Sequence, residues 1–159
     1  MQVPDADGWV SVERPETPTE EFEEEKGVWV VVSKKIGDER FLVRFPEDPL
    51  YHSFPGGIEW TAAFNSDLLS LRVENREDEK DLSQFVEERL LFLNALPETF
   101  LIKSSAHENA FDLFYRHEGK WVWEKIMVTP HFVYLFQTKS EQMSGNTHRQ
   151  FTISFDASK

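Results

Sequence analysis

From Val28 onward the chain is a succession of short apolar runs separated by turn residues. Val28 to Lys34 and Arg40 to Phe45 flank Gly37-Asp38, Ile58 to Phe64 follows Pro55-Gly56-Gly57, and Leu68 to Glu74 comes next. Runs rich in β-branched and aromatic residues, bounded by Gly, Pro and Asp, predict antiparallel strands. In Ile58, Trp60, Ala62 and Phe64 the apolar residues take every second position, with Glu59 and Thr61 between them, as a strand with one buried face requires. The period then changes. Across Asp81 to Leu96, Leu82, Phe85, Val86, Leu90, Leu93 and Leu96 recur at helical spacing, while Glu87, Glu88 and Asn94 fall largely outside that stripe. Asp81 is placed to cap this helix, Gln84 to answer it in a capping box, and Pro97 to end it.

Beyond the helix the strand pattern returns in Thr99 to Ser104, Ala110 to Arg116, Lys120 to Val128 and His131 to Lys139, with joints at His117-Glu118-Gly119 and Thr129-Pro130. After a Gly-containing stretch from Ser144 to Asn146, Phe151, Ile153 and Phe155 alternate within Arg149 to Phe155, which reads as a last strand or as a short helix entering one. The expected fold is therefore α+β: an antiparallel β-sheet of about six to seven strands packed against one main helix, Asp81 to Leu96.

Charge separates the beginning of the chain from the rest. Residues 1–26 hold nine acids against Arg14 and Lys26, so they carry seven of the twelve net negative charges. With Pro4, Pro15 and Pro18 as well, this leader buries too little apolar area to offset its ordering entropy, and it is expected to be a mostly flexible tether, the alternative being an acidic docking segment, with Trp9 and Val10 the main residues to pin part of it. Residues 27–159 are expected to form a single α+β domain. A chain of 159 residues buries roughly 70% of its unfolded surface, and 14 Phe with 5 Trp supply a core that needs no covalent staple. The absence of cysteine excludes disulfides, thiolate metal sites and a cysteine nucleophile. A net charge of −12 repels phosphate backbones, so nucleic acid is not an expected partner. The longest apolar run, Val28 to Val32, falls far short of the roughly 20 residues of a membrane span. Met1 and its polar leader fit either a native cytosolic start or one placed just after a removed signal or lipid anchor.

The residues offer little catalytic pattern. No two of His52, His107, His117, His131 and His148 stand at the spacing that puts two metal ligands on one helical face. No Gly-x-Ser-x-Gly elbow sets a serine, and Gly56-Gly57 leads into a strand instead of opening a phosphate-binding helix. Neither a catalytic residue, a metal nor a cofactor is expected. Trp121 and Trp123 share one strand face with Lys125 and Met127, while Val122, Ile126 and Val128 take the other. One face must meet the core, so the Trp row either packs or stays partly open as a recognition surface. Trp121 and Trp123 are the binding candidates, with Trp60 as an expected neighbour on the sheet.

The Phe-x-Val-x-Phe-Pro entry at Phe41 to Pro46, the amphipathic helix after a strand, the meander with Tyr134 in His131 to Phe136, and the closing Ser154-Phe155 resemble the PsbP-like superfamily. That group includes the PsbP subunit of photosystem II, DcrB-like lipoproteins and a Ran-binding release factor. The resemblance covers about residues 38–157 and implies an antiparallel sheet between helices, an α/β/α sandwich, in proteins that dock to partners instead of turning over substrates. It carries over no functional residue. The lack of an obvious helix between the first strands departs from the pattern and bears on the layering more than on the sheet. The function expected is a non-catalytic binding or assembly module that docks a protein partner through an aromatic-bearing surface. A small apolar-ligand carrier, and a hydrolase pairing His117 or His131 with a carboxylate, are the alternatives.

Overall fold

A computed structural model describes residues 29–76 and 80–158. The leader expected over residues 1–26 lies outside them. By internal contacts the chain divides into two compact units, one made of the residues up to Pro49 with Ala62–Phe64 and the stretch from Arg149, the other of Leu50–Thr61 and Asn65–His148.

In the first unit, Val30–Ile36 (β1) and Glu39–Phe45 (β2) form the hairpin that the sequence predicts, turning at Gly37 with φ 59°. Phe41, Val43 and Phe45 alternate along β2 and are fully buried, the period-2 signature of a strand with one core face. The closing segment resolves as a short helix followed by a strand. Phe151 lies on the last turns of the helix and packs its ring 5.2 Å from Phe45, Phe155 lies 5.8 Å from Phe41, and Ile153 is exposed. The apolar alternation of residues 151–155 is thus not a strand pattern. Ser154 joins the two pieces: its hydroxyl accepts from the Arg44 amide at 2.9 Å and donates to the Phe151 carbonyl at 2.7 Å.

The larger sheet has seven strands. Leu50–Phe54 (β3), Gly57–Phe64 (β4), Asp67–Asn75 (β5), Thr99–Ala106 (β6), Ala110–His117 (β7), Lys120–Val128 (β8) and Phe132–Ser140 (β9) run in the antiparallel order β3-β4-β5-β9-β8-β7-β6. Asn146–Ile153 forms the short helix α2, and Asp156–Ser158 forms β10, which adds to β2 as the third strand of the small sheet. Sequence pattern missed β3, because its exposed residues Leu50, Tyr51, His52 and Ser53 show no buried alternation; it forms as the partner of β4 across the turn at Gly56.

The main helix, Leu82–Ala95 (α1), has the predicted caps. The Asp81 carboxylate accepts from the Gln84 amide at 3.0 Å while the Gln84 side chain accepts from the Asp81 amide at 2.9 Å. It packs on β6, β7 and β8. Val86 and Leu93 meet Leu113, Tyr115, Val122, Ile126 and Val133 in a buried cluster. One face of the β6–β9 meander is thereby fixed against α1.

Candidate docking surface

Register sets the opposite face. In an antiparallel pair, directly opposed residues point to the same side. Leu113, Tyr115, Val122 and Ile126 face α1, so the alternate residues face away: Phe114 and Arg116 on β7, Trp121, Trp123 and Lys125 on β8. Phe100 opposes Arg116 across the β6–β7 ladder, and Lys103 opposes Phe114 after a bulge between Leu101 and Lys103.

The rings on this face stack in a row. Phe114 lies between the two indoles, 5.7 Å from Trp121 and 4.9 Å from Trp123, with interplanar angles of 20° and 22°. The Arg116 guanidinium sits 4.4 Å over the Trp121 ring, and the His148 ring stacks 6.4 Å from Trp123. His148 is held by Thr138, whose hydroxyl is 2.7 Å from Nδ1. Burial pushes the His148 pKa down to about 4, the charge of Asp112 opposing that shift and the charge of Lys125 adding to it, so the imidazole is neutral at pH 7. Toward β9 the same face is closed, with Tyr134, Phe136 and Thr138 essentially without exposed surface. Toward β6 it opens: Phe100 is 67% exposed, and Lys103 and Arg116 are exposed beside it. The half-buried indoles are therefore anchored at the Trp123 end and accessible at the Trp121 end.

The structure brings Trp121 and Trp123 together but leaves Trp60 apart. Trp60 is buried on β4, its ring 5.4 Å from Tyr51, and β5 and β9 stand between β4 and β8. The expectation that Trp60 neighbours the pair is corrected by strand order, which a sequence does not display. Sequence reasoning missed Phe100, Phe114 and Arg116 as members of the face. Alternation within Ala110 to Arg116 puts Phe114 and Arg116 on one side of their strand, but only pairing reveals that this side also carries the indoles.

The histidines do not assemble. His117 ends β7 and His131 precedes β9, so the two stand at opposite ends of β8. The Nδ1 atom of His117 lies 2.7 Å from the Thr99 hydroxyl, and its Nε2 lies 3.7 Å from Glu118 in the turn. His107 and Asp112 pair at 2.7 Å, with both side chains well exposed. No group of three or more metal-ligating side chains occurs among the described residues.

On the α1 side one carboxylate is buried and heavily hydrogen-bonded. Glu124 accepts from Arg89 Nε at 2.9 Å and Nη2 at 2.5 Å, from the Tyr115 hydroxyl, and from Gln137 at 2.8 Å. Burial works against the Arg89 charge, but the hydrogen bond and charge of Glu124 outweigh it and hold the guanidinium above its usual pKa. Burial and the Glu124 charge push the Tyr115 phenol up, keeping it a donor. With four hydrogen bonds to it, two of them from the Arg89 guanidinium, Glu124 acts as a structural tie between α1 and the sheet. Leu82, Val86, Leu90, Leu91, Ala106 and Phe111 line an apolar hollow of about 400 Å³ between α1 and the β6–β7 edge.

No protein-family model matches the chain, and no curated protein matches it. Among solved structures it is similar to cyanobacterial PsbP (CyanoP) from Synechocystis sp. PCC 6803, at 12% identity over 84% of this chain and 95% of that one, with a TM-score of 0.58. That structural likeness and the seven-stranded antiparallel sheet agree with the resemblance carried by Phe41 to Pro46, Tyr134 and Ser154-Phe155. The chain has the PsbP-like fold.

Proposed function

We propose that this chain is a non-catalytic binding or assembly module that docks a protein partner on the aromatic face formed by Phe100, Phe114, Arg116 and Trp121. A PsbP-like fold supports such a role in general terms. The observation that carries the site is the combination of an exposed Phe100 and Arg116 with stacked, half-buried indoles on a paired sheet. Trp and Arg are enriched at interface hot spots and Phe at interfaces generally, and rings already held in a stack lose little conformational entropy when a partner covers them. Strand addition at the sheet edge is disfavoured as the docking mode, because β6 carries a bulge and Lys103, both of which blunt an edge.

The test is capture of partners from the native source by the full chain and by Phe100→Ser/Arg116→Ser, with Leu50→Ser on the exposed strand β3 as control. Loss of a captured partner with the face variant and its retention with the control is the expected result. Capture unaffected by the face variant removes this surface as the docking site. The apolar hollow under α1 favours a second reading, a carrier of a small apolar ligand, since about 400 Å³ lies in the range of ligand pockets. Native mass spectrometry of freshly purified protein finding only the apo mass counts against it.

A further inference from the structure

We infer that the segment docked on the aromatic face is an acidic peptide with interspersed apolar residues; the inference rests on the docking reading above and specifies the chemistry of the partner. The chain has 29 acids against 17 Lys and Arg, yet this face gathers Lys103, Arg116 and Lys125 around the stack. Among the described residues none of the three is paired with a carboxylate. Asp112 is the acid on the same face, opposing Lys125 and bonded to His107, and Glu118 lies in the adjoining turn. The local balance is thus positive where the whole molecule is strongly negative. A face of that kind attracts carboxylates, which steer encounter and fix register at an interface.

The ring geometry favours peptide over nucleic acid as the anion. Single-stranded nucleic acids bind by laying bases on free aromatic faces. Here the Trp121 ring faces Arg116 and Phe114, Phe114 faces the two indoles, and Trp123 faces Phe114 and His148. What the stack offers a partner is ring edges and the open side chain of Phe100, which suit apolar side chains, with the cations placed for the carboxylates between them. The net charge of −12 adds long-range repulsion that a polyphosphate meets far more strongly than a short peptide of lower charge density.

The full chain is titrated, with NMR detection of amide and indole N–H signals, against a short peptide alternating Glu with Phe and Leu, its Lys-for-Glu counterpart, and a short oligothymidylate. The acidic peptide alone is expected to shift the Trp121 indole and the Phe100, Lys103 and Arg116 amides. Its affinity is expected to fall at least about tenfold in Lys103→Glu/Lys125→Glu and on raising salt severalfold, as exposed ion pairs are screened. Binding of the basic peptide or the oligothymidylate at these residues, or no shift there with the acidic peptide, overturns the inference. Repeating the capture experiment with the charge-reversal variant separates the two readings. A partner lost with Phe100→Ser/Arg116→Ser but kept with charge reversal leaves the docking face standing and refutes its acidic occupant, and a partner kept by both refutes both.

Discussion

Removing the Arg89 side chain tests whether the tie between α1 and the sheet is a buried ion pair or a surface ornament. Glu124 has 0% side-chain exposure, Arg89 has 22%, and two of the carboxylate's four hydrogen bonds come from that guanidinium. Breaking a buried pair from one side strands the other charge, at a cost of about 3–5 kcal/mol. Because Arg89 is partly solvated and Tyr115 and Gln137 still donate to the stranded carboxylate, Arg89→Ala is expected at the low end, about 3 kcal/mol. With a urea m-value of about 2 kcal/mol/M, the unfolding midpoint drops by about 1.5 M, read by tryptophan fluorescence with Trp121 and Trp123 as reporters on the same sheet. The companion is Arg89→Leu/Glu124→Leu, which removes both charges together. It strands only the Tyr115 hydroxyl and Gln137, 3.5 Å apart and able to satisfy each other in part, so its loss is expected to be smaller than that of the single variant. A loss below about 1 kcal/mol for Arg89→Ala, or a double variant less stable than the single one, refutes the reasoning.

His148 makes stability depend on acid. Its pKa is about 4 folded against 6.5 as the ordinary value, so the unfolded chain binds its proton first as pH falls. The corresponding stability is complete above about pH 6.5 and is lost progressively down to about pH 4, by up to about 3 kcal/mol, and His148→Gln is expected to remove this component from the pH profile; identical profiles for the two proteins sink it. Gly57→Ala is expected to destabilise by about 1–3 kcal/mol in thermal or urea unfolding, since a Cβ there falls 2.5 Å from the Val73 carbonyl oxygen and 2.7 Å from the Phe54 ring. Glu118 sits in the β7–β8 turn at φ 53° beside Gly119 at φ 83°, and Asn tolerates that conformation better. Glu118→Asn is expected to raise the unfolding free energy by about 0.5–1 kcal/mol, and an unchanged or lowered midpoint speaks against backbone strain at the turn.

Local physics was legible in the amino-acid sequence. The helix with its Asp81–Gln84 box follows from spacing and capping chemistry within sixteen residues, and the turns at Gly37 and at Glu118-Gly119 follow from residues that accept positive φ or lie next to one that does. The strand runs of the meander, the α+β class and the two-sided character of the Trp121–Met127 strand also come from period alone. What the sequence could not supply is strand order and register. Both are set by which strands pair across the chain, a non-local choice made by the total burial it achieves, and shifting a register by one residue would turn every side chain to the other face. That choice separates Trp60 from the indole pair, recruits Phe100, Phe114 and Arg116 to it, and makes a lone Glu124 the centre of a four-donor network. It also turns the alternating Phe151, Ile153 and Phe155 into a helix end and the junction before an edge strand, because Phe151 and Phe155 reach the β2 core from either side of Ser154.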